Sequence, residues 1–457
     1  MSSIDLDVVI LAAGQGTRMR SSTPKVLHTL AGRSLLQHVI DTAETLTARN
    51  VAVVVGHQAD TVQGSIDADV RWVQQPEQLG TGHAVQLAMS QLPGDGVVVV
   101  LYGDVPLISV QVLTNAIESA KEGSVGLVVA DFADPAELGR IVRNEAGEIQ
   151  RIVEFKDADQ QERSITEINS GILAVPGAHL QEWLGRLKPN NKQGEYYLTD
   201  IIAMAVADGV AVEGVMAHTP EEVAGINDRV QLAALERYYQ QREAERLMRA
   251  GVTIADPTRL DIRGSVEAGE DCFLDVNVVL QGKVVLGKGV RIGPGSVVTD
   301  AQIGDFTEVH AHTLIEDASI AAHVSVGPFA RVRPGSVFAE GVRIGNFVET
   351  KKAQLGAGSK ANHLAYLGDT VIGEACNVGA GSVTCNYDGV NKHSTNIGDN
   401  VFVGTNSTLV APLDIHDGAF VAAGSTVTST VDKDDLAVGR GKQRNIKGWV
   451  RPDKRKE

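Results

Sequence analysis

The carboxy-terminal half of the chain repeats an aliphatic side chain at every sixth position, and this period constrains the fold more than any other feature. The in-phase residues are Leu286, Ile292 and Val298; Ile303, Val309 and Ile315; Ile320, Val326, Val332, Phe338 and Ile344; and Ile397, Val403, Leu409, Ile415, Val421 and Val427. Hexapeptide repeats build a parallel β-helix, with one short strand per repeat and three strands per triangular coil. We therefore expect these side chains to point inward and to stack into one continuous core.

The repeat breaks between Thr384 and Ile397, where the segment CNYDGVNKHSTN is inserted. Loops carried by a rigid scaffold often hold functional residues. The break predicts that the chain leaves the coil here and returns after the insertion. A functional loop and a plain surface loop are both compatible with this pattern.

Residues up to about 228 follow a different pattern, in which apolar strands alternate with helical stretches. Predicted strands cover 7–11, 51–55, 97–101 and 126–129, and predicted helices cover 34–46 and 84–92. This alternation indicates an α/β domain with a mostly parallel sheet and helices on both faces. Ligands of such sheets bind at the carboxyl ends of the strands.

A charged helical stretch follows and is predicted to connect the two halves. The predicted organisation is therefore a domain over 1–228, a linker helix over 229–250 and a repeat domain over 251–457. A length of 457 residues is enough for two or three domains with separate cores. The final residues, RPDKRKE, are expected to be disordered.

Charge and cysteine usage exclude several classes of function. The formal net charge of −16 argues against general nucleic-acid binding, which needs a basic surface. No stretch reaches the ~18–20 apolar residues of a membrane span, and the start MSSIDLD lacks the basic residues of a signal peptide. Cys272, Cys376 and Cys385 have no metal-ligand spacing and read as reduced thiols. We expect a cytoplasmic protein without nucleic-acid or membrane partners.

Phosphate-binding signals follow the first predicted strand in the stretch LAAGQGTRMRSSTPK. Gly14 and Gly16 allow close approach of the backbone to a ligand, and exposed N–H groups after a strand suit a phosphate. Arg18 and Lys25 supply positive charge that can stabilise phosphoryl or nucleotidyl transfer. A glycine pair alone is weak evidence, so this interpretation depends on the motifs that follow.

Two further motifs lie where neighbouring strands should end. In QLGTGHA, the groups of Gly80 and Thr81, together with Gln75 upstream, are suited to hold a nucleotide base. In VVVVLYGDVPL, Asp104 closes a buried strand, where a carboxylate is costly without a partner such as Mg²⁺. Asp104 as a plain turn residue is the alternative.

Taken together, LAAGxGTRM–PK, GTGHA and YGDVPL closely resemble the sugar-nucleotide pyrophosphorylases. The resemblance implies a Rossmann-like nucleotidyltransferase domain in which a sugar 1-phosphate attacks the α-phosphate of a nucleoside triphosphate and expels pyrophosphate. It implies that Arg18 and Lys25 stabilise the transition state, that Asp104 and Asn227 bind Mg²⁺, and that Gln15 has no role. The implied nucleotide-sugar ligands are Leu11, Ala12, Ala13, Gly14, Lys25, Gln75, Gly80, Thr81, Tyr102, Gly103, Asp104, Gly139, Glu154, Asn169 and Asn227.

The repeat domain also carries candidate catalytic residues. Arg333 and Lys351 are eighteen positions apart, about one coil, so they should lie near each other on coils spaced by about 4.8 Å. Lys360 and His363 follow closely. Two cations can hold a sugar phosphate, and a neutral histidine can take a proton from an amine. A single histidine is more often structural, so His363 is a candidate only because of its neighbours.

With these residues, the whole chain resembles the bifunctional enzymes that join a pyrophosphorylase to a hexapeptide acetyltransferase. The resemblance implies a left-handed β-helix, a homotrimer with sites between subunits, and acetyl transfer from acetyl-CoA to glucosamine 1-phosphate. Uridylyl transfer from UTP to N-acetylglucosamine 1-phosphate then produces UDP-N-acetylglucosamine for peptidoglycan and lipopolysaccharide precursors.

The same resemblance implies roles for individual residues of the repeat domain. His363 is the implied general base, and the N–H near Ala380 is the implied oxyanion donor. Thr405 stands where the family commonly has serine, and it keeps the hydroxyl group. The amino-sugar phosphate ligands would be Arg333, Lys351, Tyr366 and Asn377, and the acetyl-CoA ligands would be Ala380, Asn386, Tyr387, Thr405, Ala423 and Arg440.

Two other functions remain open at this point. A pyrophosphorylase for another sugar or base would use the β-helix for assembly only, and would release no thiol from acetyl-CoA. A non-enzymatic scaffold subunit that shares both domain types would release no pyrophosphate in the presence of Mg²⁺.

Overall fold

The computed structural model describes residues 5–451, so residues 452–457 of the predicted disordered end lie outside the described part. The chain forms two compact units, residues 1–239 and 240–457. The division falls within a helix, Arg229–Arg249, at the position of the predicted linker. The predicted domain boundaries at 228 and 251 stay predictions.

The first unit alternates strands and helices as the sequence pattern predicts. Its strands are β1 Leu6–Ala12, β2 Thr29–Leu30, β3 Arg33–Ser34, β4 Asn50–Val55, β5 Arg71–Gln74, β6 Val97–Tyr102, β7 Val125–Asp131, β8 Arg140–Arg143, β9 Ile149–Val153, β10 Glu167–Pro176 and β11 Val212–Met216. Its helices are α1 Leu35–Thr45, α2 Ala59–Ser65, α3 Thr81–Met89, α4 Val110–Lys121, α5 Gly177–Arg186 and α6 Asp200–Ala207, and α7 Arg229–Arg249 follows. Short 3₁₀ turns cover Thr17–Met19, Lys25–Leu27, Glu162–Ser164 and Pro220–Val223.

The main sheet of this unit has the strand order β11-β7-β10-β6-β1-β4-β5, with β8 and β9 attached as a hairpin. Strand β10 runs antiparallel to β6 and β7, and the other neighbours in this order run parallel. Along β1, Val8 and Ile10 pack into a core with α1 and α4, whereas Val9 and Leu11 pack into a second core with α3 and α5. Because successive strand residues point to opposite faces, helices cover both sides of the sheet. The predicted α/β layering is confirmed.

Local side-chain chemistry sets the start of the helices that cover the sheet. The Ser34 hydroxyl accepts a hydrogen bond from the Gln37 backbone N–H at 3.2 Å and caps α1. Ser109 caps α4 through the N–H of Val112 in the same way. Each cap satisfies an N–H group that has no partner inside the helix.

The second unit is a stack of short parallel strands. They are β12 Thr253–Ile254, β13 Leu260–Ala268, β14 Phe273–Leu274, β15 Val278–Leu286, β16 Arg291–Ile292, β17 Val297–Ile303, β18 Glu308–Val309, β19 Leu314–Ile320, β20 Ser325–Val326, β21 Arg331–Val332, β22 Ser336–Phe338, β23 Arg343–Asn346, β24 Glu349–Leu355, β25 Lys360–His363, β26 Tyr366–Ile372, β27 Asn377–Val378, β28 Val383–Cys385, β29 Thr395–Ile397, β30 Phe402–Val403, β31 Thr408–Val410, β32 Leu413–Ile415, β33 Phe420–Val421, β34 Thr426–Val427 and β35 Leu436–Ala437. A 3₁₀ turn covers Pro257–Arg259.

The repeat residues line the inside of this stack. Every one of the in-phase side chains predicted from the sequence is 6% exposed or less, and all of them belong to one core. Strands pair in parallel with strands one coil later, as Ile292 does with Val309 and Val326 does with Ile344. The predicted parallel β-helix and its inward-pointing repeat positions are confirmed.

The insertion interrupts this regular spacing. Gln354 pairs with Val371, 17 positions later, but Val371 pairs with Asn396, 25 positions later. The extra residues leave the coil between β28 and β29, where the sequence predicted the break. Within residues 5–451, none of the helices has the length and apolar character needed to cross a membrane.

Candidate functional site

A cavity of about 230 Å³ opens in the first unit where β1 and β6 end. It gathers residues from three separate motifs of the sequence. Ten of its lining residues were predicted: Leu11, Ala12, Ala13, Gly14, Lys25, Gln75, Gly80, Thr81, Tyr102 and Asp104. Gly103 lies directly behind them, since its N–H donates to the Leu11 carbonyl at 2.9 Å. Gln78 and Glu195 also line the cavity and were not predicted.

The cavity holds one tight charge cluster. The Lys25 ammonium pairs with the Asp104 carboxylate and donates to the Asn227 side-chain oxygen at 3.2 Å. Gly16 makes this position of Lys25 possible, because its φ is +60° and an added Cβ would lie 2.5 Å from the Lys25 Cβ. The glycine loop thus places a lysine as well as exposing backbone N–H groups.

The same cluster shows which residues could hold a metal ion. Asp104 and Asn227 direct one oxygen each at a single cationic group, the Lys25 ammonium. Carboxylate and amide oxygens are the ligands that hard divalent cations prefer. Across residues 5–451 there is no group of three or more His, Cys, Asp or Glu side chains placed to hold a metal. The two oxygens therefore fit a cation whose remaining ligands are phosphates and water.

A second group of predicted residues surrounds Glu154. The Asn169 N–H donates to the Gly139 carbonyl at 2.9 Å, and the Asn169 side-chain oxygen accepts from the Gly171 N–H at 3.0 Å. The Thr199 hydroxyl donates to Glu154 at 3.1 Å. Burial raises the pKa of Glu154, because desolvation disfavours the charged carboxylate. Thr199 was not predicted, and no motif around it distinguishes it in the sequence.

Tyr102 connects this group to the cavity. Its ring packs against Gly171, where an added Cβ would lie 2.6 Å from a ring carbon. Burial, with Glu154 and Asp104 nearby, raises the pKa of Tyr102, so its hydroxyl stays protonated. The structure therefore brings Gly139, Glu154 and Asn169 to the side of the cavity that Tyr102 borders.

Arg18 lies elsewhere. It lines a larger cavity of about 780 Å³ together with Asn227, the 134–138 loop and the start of α7, and it does not line the Lys25 cavity. Asn227 lines this larger cavity and also accepts a hydrogen bond from Lys25, which lines the smaller one. The buried Arg140 holds the same loop, donating to the Leu138 carbonyl and, at 3.0 Å, to the Ala136 carbonyl. Sequence reasoning missed Arg140.

In the second unit, the predicted cations are held by acids that were not predicted. Arg333 donates to Glu349 at 2.8 Å, and the Lys351 ammonium lies 3.4 Å from Asp369. Asp369 also accepts from the Asn386 amide, which lies 3.5 Å from the Tyr366 hydroxyl. Glu349 thus orients Arg333, and Asp369 orients Lys351 and Asn386, which was predicted as an acetyl-CoA ligand rather than as a neighbour of Lys351.

His363 ends β25 and is exposed. Its Nδ1 lies 3.1 Å from the side-chain oxygen of Asn346 on β23. Asn377 begins β27, the next strand in the same sheet, and pairs with Lys360. His363 and Asn377 thus lie on adjacent strands of one sheet.

The remaining predicted residues form a column on successive coils. The Ala380 carbonyl accepts from Asn406 N–H at 2.7 Å, the Thr405 carbonyl accepts from Gly424 N–H at 2.8 Å, and the Ala423 carbonyl accepts from the Arg440 guanidinium at 2.6 Å. Ala380, Thr405, Ala423 and Arg440 therefore follow one another along one edge of the stack.

The inserted loop is ordered by its own hydrogen bonds. Asp388 accepts from the N–H groups of Val390 and Asn391 and from His393 at 2.7–2.8 Å. These donors hold the pKa of Asp388 well below its usual range. The Lys392 ammonium lies 4.2 Å from the centre of the Tyr387 ring. These contacts fix the position of the Tyr387 ring within the loop.

Comparison with known proteins agrees with both units. A MobA-like NTP transferase domain matches residues 8–254, a GMPPB C-terminal domain matches 261–355, and a hexapeptide repeat of succinyl-transferase matches 395–429. The bifunctional protein GlmU of Marinobacter nauticus is 54% identical over 450 residues, covering 98% of this chain and 99% of that protein. GlmU of Cellvibrio japonicus is 54% identical over 451 residues (98% and 100%), and GlmU of Pseudomonas putida is 52% identical over 455 residues (99% and 100%).

The resemblance read from the sequence is thereby confirmed, together with the fold class of a nucleotidyltransferase unit and a left-handed hexapeptide β-helix. The matches cover nearly the whole length of this chain and of each relative. The chain therefore belongs to the GlmU family of bifunctional proteins and is an enzyme with a nucleotidyltransferase unit and a hexapeptide acetyltransferase unit.

Proposed function

We propose that the two sites described above carry the two reactions of UDP-N-acetylglucosamine synthesis. The second unit transfers an acetyl group from acetyl-CoA to glucosamine 1-phosphate, and the first unit joins the product to the uridylyl group of UTP. The observation that supports the first assignment best is the Lys25, Asp104 and Asn227 cluster in a cavity built from the predicted nucleotide motifs.

In the first unit, an oxygen of N-acetylglucosamine 1-phosphate bonds to the α-phosphorus of UTP as the bond to pyrophosphate breaks. Such a transfer needs alignment and charge neutralisation more than covalent help, so no nucleotidylated residue forms. Lys25 neutralises phosphate charge inside the cavity, and Arg18 does so from the adjoining one. Asp104 and Asn227 would hold Mg²⁺, which when bound neutralises further phosphate charge.

The residues that line the Lys25 cavity bind the nucleotide, and the residues around Glu154 bind the sugar phosphate. The backbone of 11–14 and the Gln75, Gly80 and Thr81 region hold the nucleotide. Gly139, Glu154 and Asn169 hold the sugar on the side bordered by Tyr102. Glu154 offers the sugar hydroxyls a carboxylate that water solvates poorly, which strengthens the hydrogen bonds it accepts.

In the second unit, Arg333, Lys351, Tyr366 and Asn377 hold glucosamine 1-phosphate. The amine nitrogen bonds to the thioester carbonyl carbon, its proton passes to His363, and the carbon–sulfur bond breaks to release coenzyme A. An N–H group near Ala380 stabilises the oxyanion. Asn386, Tyr387, Thr405, Ala423 and Arg440 bind acetyl-CoA, with the Thr405 hydroxyl in the place of the usual serine.

A homotrimer with acetyltransferase sites between subunits fits one exposed edge of the β-helix. His312, Phe329 and Phe347 stack there with ring centres 5.2 and 5.7 Å apart, and the exposed Leu364 continues the column beside His363. A column of exposed apolar side chains marks a protein interface. Light scattering should therefore give a trimer mass, and a monomer with full acetyl transfer would contradict shared sites.

The enzyme is assigned to the cytoplasm on the state of its thiols. Cys272, Cys376 and Cys385 are all free, as is usual in a reducing compartment. Burial raises the pKa of the Cys272 and Cys376 thiols, which keeps them unreactive.

The direct test follows each half-reaction separately with the full-length protein. Pyrophosphate release from UTP and N-acetylglucosamine 1-phosphate should require Mg²⁺, and thiol release from acetyl-CoA should require glucosamine 1-phosphate. Absence of thiol release would show that the β-helix serves assembly only and does not catalyse acetyl transfer. A trapped nucleotidylated residue would contradict the direct transfer.

A further inference from the structure

The strand register of the β-helix places Asn346 beside His363. Asn346 ends β23 and His363 ends β25, and the two residues are paired partners one coil apart. The amide oxygen of Asn346 lies 3.1 Å from His363 Nδ1. Because parallel pairing fixes both backbones, this contact is set by the coil itself rather than by a flexible loop.

A hydrogen bond at one ring nitrogen decides what the other can do. A neutral imidazole carries one N–H, and the partner of that N–H selects the tautomer. An amide oxygen can only accept, so it holds the proton on Nδ1 and leaves the Nε2 lone pair free. This is the tautomer that a general base acting through Nε2 requires.

We infer that Asn346 is a positioning residue for acetyl transfer, acting through His363. The inference rests on the proposed role of His363 as the base. As the amine nitrogen bonds to the thioester carbon and the carbon–sulfur bond breaks, the amine proton moves to Nε2 and the sulfur leaves with the bonding electrons. Asn346 keeps Nε2 directed at that proton throughout the step.

An amide suits this role for an electrostatic reason. A carboxylate at the same place would favour the charged imidazolium, which cannot accept a proton. The neutral amide orients the ring without that effect. Besides His363, the titratable groups on the strands packed together here are Arg343 on β23 and Lys360 on β25, and β27 supplies none. In the neighbouring sheet, Glu349 begins β24 and Tyr366 begins β26.

The test compares Asn346→Leu, Asn346→Asp and His363→Ala in the full-length enzyme, with the melting curve of the β-helix unit as the measure of folding and uridylyl transfer as the internal measure of enzyme concentration. His363→Ala should lose the contribution of a general base, about 10²- to 10⁴-fold in kcat. Asn346→Leu should lose about tenfold or more in kcat, with KM for acetyl-CoA little changed. Asn346→Asp keeps an acceptor, so it should retain more activity and move the acid limb of the kcat/KM profile to higher pH.

Asn396→Leu is the matched control, since Asn396 also makes one side-chain hydrogen bond from a β-helix strand, to Asp414 at 2.8 Å. It should leave the acetyl-transfer profile unchanged. Wild-type kcat in Asn346→Leu, with His363→Ala inactive, would overturn this inference alone, whereas an active His363→Ala would overturn the proposed base. If Asn346→Leu misfolds, Asn346→Asp decides, because an acid limb at the wild-type position contradicts the contact.

Discussion

At the residue scale, two charged side chains of the nucleotidyltransferase unit lie in opposite settings. Lys25 has the Asp104 carboxylate as its partner, so its charge is compensated inside the cavity. Among residues 5–451, the Thr199 hydroxyl is the one hydrogen-bond donor to the Glu154 carboxylate, and burial raises the pKa of Glu154. The Lys25 ammonium is thus paired with a carboxylate, whereas ionised Glu154 costs folding free energy.

Glu154→Gln should therefore stabilise the protein while weakening sugar binding. The folded state binds the Glu154 proton more tightly than the unfolded state, so this residue's contribution to stability falls as pH rises above the ordinary glutamate value of about 4.3. The variant removes that cost and can keep the hydrogen bond from Thr199. Its melting temperature should exceed that of the wild type at pH 7–8, and the difference should shrink toward pH 4.

Steady-state kinetics of the same variant test the role of Glu154 in sugar binding. In Glu154→Gln, KM for N-acetylglucosamine 1-phosphate should rise, while KM for acetyl-CoA stays constant because it reports the other unit. A melting-temperature difference that grows as pH falls would show that Glu154 is stabilised in its ionised form, contrary to the direction of its pKa shift.

At the element scale, each coil of the β-helix depends on the side chains inside it. Phe338 is 1% exposed on β22, while its neighbour Val337 is 45% exposed on the outer face of the same strand. Successive strand residues point to opposite sides, so these two positions form a matched pair.

Phe338→Ala should destabilise the β-helix unit by about 3–5 kcal/mol, because it removes buried apolar area and leaves a cavity. Val337→Ala should change stability by about 0.5 kcal/mol or less. Urea unfolding, monitored by the loss of acetyl-transfer activity, measures the change in stability in both variants. Equal loss in the two variants would show that the alternation along β22 is wrong.

The element scale also shows what the sequence could predict. The six-residue period depends only on which side chains face the core, so each repeat position that it predicted is buried, and the break that it predicted lies before β29. Most of the residues that line the Lys25 cavity likewise belong to the strand-end motifs. Each of these motifs is a short run of neighbouring residues, so its glycines and charged side chains can be recognised directly in the sequence.

Partners from distant parts of the chain were not predictable. Asn346, Glu349 and Asp369 become neighbours of catalytic candidates only through coil lengths that alternate between 17 and 18 residues. Thr199 reaches Glu154 from another part of the chain, 45 positions away. The exclusion of Arg18 from the Lys25 cavity likewise depends on how its loop turns, which the motif does not encode.

At the scale of the whole molecule, the chain is two units, and the hydrophobic cores on the two faces of the sheet in residues 1–239 share no residue with the core of the β-helix in 240–457. Each unit holds its own candidate site, built from its own strands. A substitution in one site has no shared core through which to disturb the chemistry of the other. The two reactions should therefore be separable within one chain.

The most direct measurement assays both half-reactions in Asp104→Ala and His363→Ala, each confirmed as folded by its melting curve. Asp104→Ala should lose uridylyl transfer by at least about 10²-fold and keep acetyl transfer near the wild-type rate. His363→Ala should show the reverse. Loss of both activities together in either folded variant would contradict two separate sites.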